Sequence, residues 1–289
     1  MKHTLKSFIF KSLATLPDFL GDSIYHIIQE KFNSSSTESK IEKSENTINK
    51  VISICGELNI NLKNIEIIEI GSGWFPIIPY FFIYKCKVKK VFTYDINAHY
   101  NKKAIGIFNG IFSKIYNETI ITSTNNNYNL PDQVSYFPSH NVINCELPKT
   151  PLVFSRYVLS HVKTKDIIEM HKKFKNEFAK GTYIIHFISP SDLRQHGDKS
   201  ISQQDFLKYS QKEWDKITTK YDFHNRLRLP QFIEIFTSLG YEILHKSYER
   251  VSENSSNYNL FHQLQFHEDY KKYSVEELTA GNIILVLKS

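Results

Sequence analysis

The run Glu66-Ile-Ile-Glu-Ile-Gly-Ser-Gly-Trp-Phe-Pro76 sets an acid, Glu69, two places before the first of two glycines, Gly71 and Gly73, where a strand-like apolar stretch ends. Glycines there let backbone amides approach a ligand closely, at the start of a helix whose dipole favours negative charge. A dinucleotide fingerprint needs a third small residue for helix–strand packing, and this chain has Pro76 at that place. Glu69 would also oppose a pyrophosphate, whereas it suits a ligand carrying an ammonium and a sulfonium. Asp95 closes the second apolar run, 26 residues after Glu69, where a carboxylate can accept both hydroxyls of a ribose. A nucleoside with a positively charged amino-acid tail is S-adenosylmethionine, and these residue types point to it. Trp74 reads either as a stacking partner for that cofactor or as core.

Residues further along extend the cofactor site, through Ser155 and Arg156, and then carry the chemistry of an acceptor. Ser155 and Arg156 end the fourth strand-like run, and the last residues of a parallel strand point into the crevice of a doubly wound sheet. His161, just beyond, reads either as a group facing the site or as a capping or core histidine. The stretch 186–198 holds His186, Asp192, Arg194, His196 and Asp198. Transfer from a sulfonium needs no Lewis acid and the spacing fits no zinc pattern, so no metal is expected. His196 paired with Asp192 would instead act as a base of near-neutral pKa, taking a proton as a hydroxyl attacks, with His186 beside the acceptor. Asn225, Arg226 and Arg228 precede a helix; arginine forks bind phosphate or carboxylate bidentately, so they predict an anionic acceptor, or else salt bridges that secure the segment. Tyr25 and Gln29, four apart on one helix face, can close over the cofactor as a lid, although packing alone also accounts for Tyr25.

The elements that must hold these residues follow from periodicity. Apolar residues recur at three and four through Leu5, Phe8, Ile9, Leu13 and Leu16 and again from Ile24 to Phe32, the pattern of packing helices. A polar connector at 33–40 and a helix over about 41–58 lead into strand-like runs at 65–70, 88–96, 133–137, 151–156 and 182–189, alternating with helical patterns, which is the signature of a parallel sheet wound with helices. A helix at 229–240, a strand at 241–249 and a strand at 282–288 close the chain, so an antiparallel pair is expected at one sheet edge. Segment 190–228 is too long for an ordinary loop and lies where such folds build substrate sites.

Composition narrows the class. The chain has 289 residues, with Lys+Arg 36 against Asp+Glu 30, a formal charge of +6 and no basic block, so a nucleic-acid partner is not expected. Its three cysteines, Cys55, Cys86 and Cys145, frame neither a disulfide scaffold nor a zinc site and fit reduced thiols of a cytoplasmic protein. Lys6, Ser7, Lys11 and Ser12 interrupt any signal-like apolar run at the N-terminus, and the longest apolar run, 74–84, is too short to span a membrane.

EIGSGW, VFTYDI and LVFSRYVLSHV together resemble class I S-adenosylmethionine-dependent methyltransferases, and LPDFLGDSIYHIIQEKF, ISPSDLRQHGDKSISQQDFLKYS and FHNRLRLPQFIEIFTSLGYEI are similar to a bacterial subgroup often encoded beside surface-polysaccharide genes. The resemblance covers most of the chain. It implies an α/β, Rossmann-like, doubly wound seven-stranded sheet in the order 3-2-1-4-5-7-6 with strand 7 antiparallel. It implies that Glu69, Gly71 and Gly73 line the methionine end, Asp95 and its neighbour Ile96 the ribose, and Tyr136 to Pro138 the adenine. The chain departs from the family pattern at Ser160, commonly Glu, and at Pro151-Leu152, where an Asp usually opens the strand. The expected organisation is an N-terminal helical lid, 1–58, and a methyltransferase domain, 59–289, with substrate-cap insertions at 190–228 and 251–280. The expected reaction is O-methylation of a sugar, sugar phosphate or glycan. A small-molecule N- or carboxyl-methyltransferase and a catalytically idle cofactor-binding module remain as alternatives, and the oligomeric state is open.

Overall fold

The computed structural model describes residues 3–17, 20, 21, 24, 25, 28, 36–122 and 127–289. Helix α1, His3–Ala14, is followed by α2, Thr37–Glu57, then by strand β1, Glu66–Ile70, helix α3, Ile77–Tyr84, strand β2, Lys90–Tyr94, and helix α4, Lys102–Tyr116. Next come β3, Val134–Phe137, β4, Leu152–Arg156, α5, Thr164–Glu177, and β5, Tyr183–Ile188. The remainder comprises α6, Arg194–Gly197, α7, Gln211–Ile217, α8, Leu229–Ser238, β6, Glu242–Glu249, α9, Ser256–His262, α10, Val275–Thr279, and β7, Gly281–Lys288.

The strands form one seven-stranded sheet in the order β3-β2-β1-β4-β5-β7-β6. Pairings among β1 to β5 are parallel, and β7 runs antiparallel to both β5 and β6. This is the expected α/β doubly wound fold, down to the antiparallel seventh strand. Central strands β1, β4 and β5 read as near-continuous apolar runs because helices cover both faces.

Alternation along each strand divides the core. Ile67, Val91, Leu152, Phe154 and Ile185 face α2, α3 and α4, while Ile68, Val153, Ile184 and Leu285 face α5 and α8. Helix α3, IIPYFFIY, is apolar nearly all round and buries seven of its residues. Hence the longest apolar run of the sequence is a core helix. The α2 helix starts earlier than its periodicity suggests, because the Ser36 side chain accepts a hydrogen bond from Ser39 N at 3.2 Å and caps it. It packs Ile41, Ile48, Val51 and Ile54 into the main core, so within 1–58 it is part of the sheet's cover. What packs against the cap lies before it: Phe10 is buried and Tyr25 stacks on Tyr221 with ring centroids 4.9 Å apart.

Segments 190–228 and 251–280 build a third core of their own, from Phe206, Leu207, Trp214, Phe261, Tyr270 and Leu278. Trp214 is 1% exposed, sits edge-on to Phe206, and donates its indole N–H to the His224 carbonyl at 3.0 Å. Among the described residues, no helix is long and apolar enough to cross a membrane.

Because Trp214 fills this small core and also satisfies a buried carbonyl, Trp214→Ala should cost about 3–5 kcal/mol. Urea unfolding followed by far-UV circular dichroism checks this; a loss below about 1 kcal/mol would mean that the cap does not depend on it.

Candidate active site

The order β3-β2-β1-β4 reverses direction at β1, and the loops leaving β1 and β4 diverge there, which opens a crevice at their carboxyl ends. A cavity of about 1370 Å³ occupies it. That exceeds the roughly 300–1,000 Å³ of a pocket for one drug-sized ligand, so there is room for two molecules.

One wall comes from the strand ends. Gly71 (φ +84°) and Gly73 (φ +61°) both adopt left-handed backbone, and both line the cavity. A Cβ on Gly71 would lie 2.2 Å from Val158 Cγ2, whereas one on Gly73 would enter open space. The first glycine therefore admits the loop after β4, and the second leaves backbone bare toward the cavity. Asp95 also lines it. Its Oδ2 accepts long bonds, 3.3 Å each, from Ser72 Oγ and Gly73 N, and its Oδ1 accepts 2.9 Å from Asn97 N. The carboxylate is thus held at the rim of the glycine loop. Ile96 is exposed beside it and lines the cavity.

Glu69 does not line the cavity. It is buried beneath the loop, where Thr93 Oγ1 donates to it at 2.5 Å. Burial pushes its pKa up to about 8; the Thr93 bond opposes this, Asp95 adds to it and Arg156 opposes it. Trp74 packs on the His99 ring, centroids 4.7 Å apart. The Tyr136 hydroxyl accepts from His99 N at 3.0 Å and its ring stacks on Tyr100, while Pro138 turns its carbonyl to His140 Nδ1. Cavity contact after β3 is made by His140, Asn141, Val142 and Ile143 instead. The chain only reaches the opening after β3 has ended.

The β4 end splits the pair expected there. Arg156 lines the cavity, donates to Ser44 Oγ at 3.2 Å and lies 4.6 Å from the Tyr157 ring centroid. Ser155 is fully buried on the other face and meets His186 Nδ1 at 2.7 Å, and His186 Nε2 meets His171 Nε2 at 3.2 Å. Strand alternation is the reason: only one of two successive residues can face the crevice side. Burial drives the pKa of His186 down to about 3, so it is a neutral core histidine, and its expected place beside the acceptor is corrected. Tyr157 has φ +59°, rare for a bulky residue, and this bend carries the chain over Gly71.

His161 follows in a 3-10 turn, Leu159–His161, and lines the cavity. Its Nδ1 lies 3.4 Å from the Phe223 carbonyl. Although the ring is exposed to the cavity, surrounding protein desolvates it enough to lower its pKa, and the carbonyl opposes that. Asp192 is not at the site. It is wholly buried and gripped by Arg194, which donates to it at 2.6 Å and reaches Asp205 at 3.0 Å. His196 is exposed on α6 and is not among the lining residues. The expected Asp192–His196 base is thus replaced by an internal ion pair: a buried carboxylate needs a permanent cation, and Arg194 supplies one.

Arg228 likewise turns inward. It is 1% exposed and donates to the carbonyls of Arg226, Leu278 and Pro190. Arg226 reaches the cavity wall, but its Nη1 donates to the Phe206 and Tyr209 carbonyls and its Nη2 to Gln211. Oxygens of the protein thus meet the terminal nitrogens of both forks, while Arg226 Nε, buried beside them, has no partner. The terminal nitrogens that would grip an anionic acceptor are already engaged. Asn225 lines the cavity while donating Nδ2 to the carbonyls of Leu159 (2.6 Å) and Val162 (2.7 Å). Tyr25 lines the opening, and Gln29 lies outside the described residues.

Residues without a sequence signal complete the far wall: Tyr157, Gln211, Asp215, Thr219, Tyr221 and Tyr270. Only folding of the two insertions onto the sheet brings the last five there.

No family model and no curated protein matches the chain. Solved structures are similar in fold. Magnesium protoporphyrin IX methyltransferase of Synechocystis, solved with S-adenosylhomocysteine, is 13% identical, with TM-score 0.47, over 92% of this chain and 99% of that one. An S-adenosylmethionine-dependent methyltransferase of Mesorhizobium loti is 9% identical, with TM-score 0.44, over 79% and 93%. A Galdieria sulphuraria protein described as a sarcosine dimethylglycine methyltransferase is 11% identical, with TM-score 0.43, and the match spans 73% of this chain and 64%, just under two thirds, of that one. The strand order itself defines the class: a methyltransferase-type Rossmann-like fold.

Burial of Glu69 has a consequence for stability. Its folded pKa lies above its unfolded one, so the folded state holds the proton more tightly; the favourable contribution is complete below about 4.5 and is lost as pH rises through about 8. Glu69→Gln should remove that loss, raising the melting temperature relative to wild type more at pH 8.5 than at pH 5. An equal difference at both pH values would place the proton elsewhere.

Proposed function

We propose that this protein is an S-adenosylmethionine-dependent methyltransferase acting on a hydroxyl of a saccharide or similar polyhydroxylated acceptor. The observation that carries the reading is the two-sided cavity: bare glycine backbone and Asp95 on one wall, and planar polar groups interleaved with tyrosines on the other. The cofactor fits the first wall. Asp95 suits two ribose hydroxyls, the open space before Gly73 suits the amino-acid end, and Arg156 suits its carboxylate. Bound there, S-adenosylmethionine supplies an electrophilic methyl group.

The chain's residues do the rest. Gln211 and Asp215, joined at 2.7 Å, keep an amide hydrogen and a carboxylate oxygen for neighbouring hydroxyls, and Tyr157 offers a face to the C–H side of a sugar ring. Tyr25, stacked on Tyr221 of the cap, covers that side. His161 takes the hydroxyl proton: its Nδ1 faces the Phe223 carbonyl, so Nε2 is the basic nitrogen, and its lowered pKa keeps it neutral at pH 7. Exclusion of water by the cap and alignment of acceptor and donor supply most of the rate.

Calorimetry should show binding of S-adenosylmethionine and of S-adenosylhomocysteine and none of NAD, with Asp95→Ala weaker by about 1.5–3 kcal/mol. No heat with either ligand, or equal affinity in the variant, would end the cofactor assignment.

Incubated with methyl-labelled cofactor and a panel of neutral and phosphorylated sugars, the protein should methylate a neutral member. His161→Ala should bind cofactor normally and turn over on the order of a hundredfold more slowly. Unchanged turnover would remove His161 as the base, and transfer confined to phosphorylated sugars would restore the anionic acceptor.

A further inference from the structure

The turn that carries His161 is held from outside its own strand. Four contacts tie residues 159–162 to residues 223–225. Asn225 Nδ2 donates to the carbonyls of Leu159 and Val162, Asn225 N donates to the Ser160 carbonyl at 2.7 Å, and the Phe223 carbonyl faces His161 Nδ1. The Asn225 carboxamide is itself fixed, since its Oδ1 accepts from Leu227 N at 3.1 Å. Backbone carbonyls of a short 3-10 turn are normally left to water or to the next residues. Here one side chain spans two of them, on either side of the histidine.

We infer that Asn225 is a positioning residue: the cap insertion sets the direction and tautomer of the His161 imidazole by clamping its turn. The inference rests on the proposed reaction for its meaning but not for its test. Segment 223–225 belongs to the cap, whose third core anchors it through the Trp214 bond to the His224 carbonyl. A cap that is not folded therefore leaves the turn without its clamp, and the base is presented only when the acceptor wall exists. This arrangement also accounts for Asn225 lining the cavity without an amide donor to spare for substrate: both Nδ2 hydrogens point at carbonyls.

His224, from the cap, is buried with its own pKa pushed down to about 4, mainly by burial, and His161 contributes to that lowering. Arg156 and Lys163 flank the turn along the chain; Asp166 of α5 and Asp215, Lys220 and Arg226 of the cap share the cavity, with Asp95, His99 and His140 on its opposite wall. The strongest influence on the ring is loss of water, with the Phe223 carbonyl opposing.

The test reads His161 directly. In protein carrying ring-labelled histidine, assigned with His161→Ala, the His161 resonances should titrate below the ordinary imidazole midpoint. Asn225→Ala, which frees the turn and admits water, should move that midpoint upward toward the ordinary value and blur the tautomer signature. Asn225→Gln, which keeps the amide donors, should recover part of the wild-type behaviour. Cofactor affinity by calorimetry should stay within about twofold in both, because the glycine wall is untouched. Where an acceptor is turned over, Asn225→Ala should lose on the order of tenfold in kcat, and nothing further in a His161→Ala background. A midpoint and tautomer unchanged in Asn225→Ala would overturn the inference; so would additive losses in the double variant. Should Asn225→Ala not fold, Asn225→Ser, smaller but able to donate one bond, carries the same titration. The titration needs no turnover, so the absence of methyl transfer would count against the reaction and leave the clamp to be judged by the ring.

Discussion

The site depends on one close approach, that of the β4 loop to the β1 loop at Gly71. A hydrogen in place of a side chain lets Val158 sit where a Cβ would lie 2.2 Å away. From that contact the two walls diverge: the bare backbone at Gly73 and the Asp95 carboxylate on one side, the His161 turn on the other. Tyr157 accepts a left-handed backbone at φ +59° to deliver Val158 there, a strain of order 1–3 kcal/mol that surrounding structure must over-determine. Its amide bonds the Phe187 carbonyl of β5 at 2.7 Å, so the sheet itself holds the bend.

Burial assigns polar groups to structure or to chemistry. Asp192, Arg194 and Asp205 form an ion network inside the cap, completed by Lys208 at 2.9 Å. Such a network adds little net stability against an apolar core, but removing one partner would strand a buried charge. Arg228 works similarly: wholly desolvated, with its pKa lowered to about 10 by that burial, it joins the loop after β5 to α10 through carbonyl oxygens. The Ser155–His186–His171 chain crosses the face covered by α5 and α8. All these groups carry the residue types of an active site, and none faces the cavity.

The glycine wall of the cavity was largely legible from the chain. Alternating apolar runs gave the strands to within a residue or two, and the spacing of Gly71, Gly73 and Asp95 fixed their common edge, because in a parallel sheet successive carboxyl ends lie side by side. Glu69 was legible as an acid at that edge, but the pleat turns it under the loop. The opposite wall was not legible. Asp192 and His196 are four apart and looked like a pair, yet Arg194 takes the acid and α6 turns the histidine outward.

By itself the sequence determined the strands, an antiparallel pair at one sheet edge and the glycine wall, since apolar runs and turn residues act over a few neighbours and survive in one dimension, while the full strand order came from the family resemblance. Tertiary structure alone decided which of Ser155 and Arg156 meets the crevice, what satisfies Arg226 and Arg228, and that Asn225 reaches back to the His161 turn. Those outcomes depend on desolvation and on partners remote along the chain, more than sixty residues away for Asn225, and a buried donor takes an acceptor near in space, whatever its place in sequence.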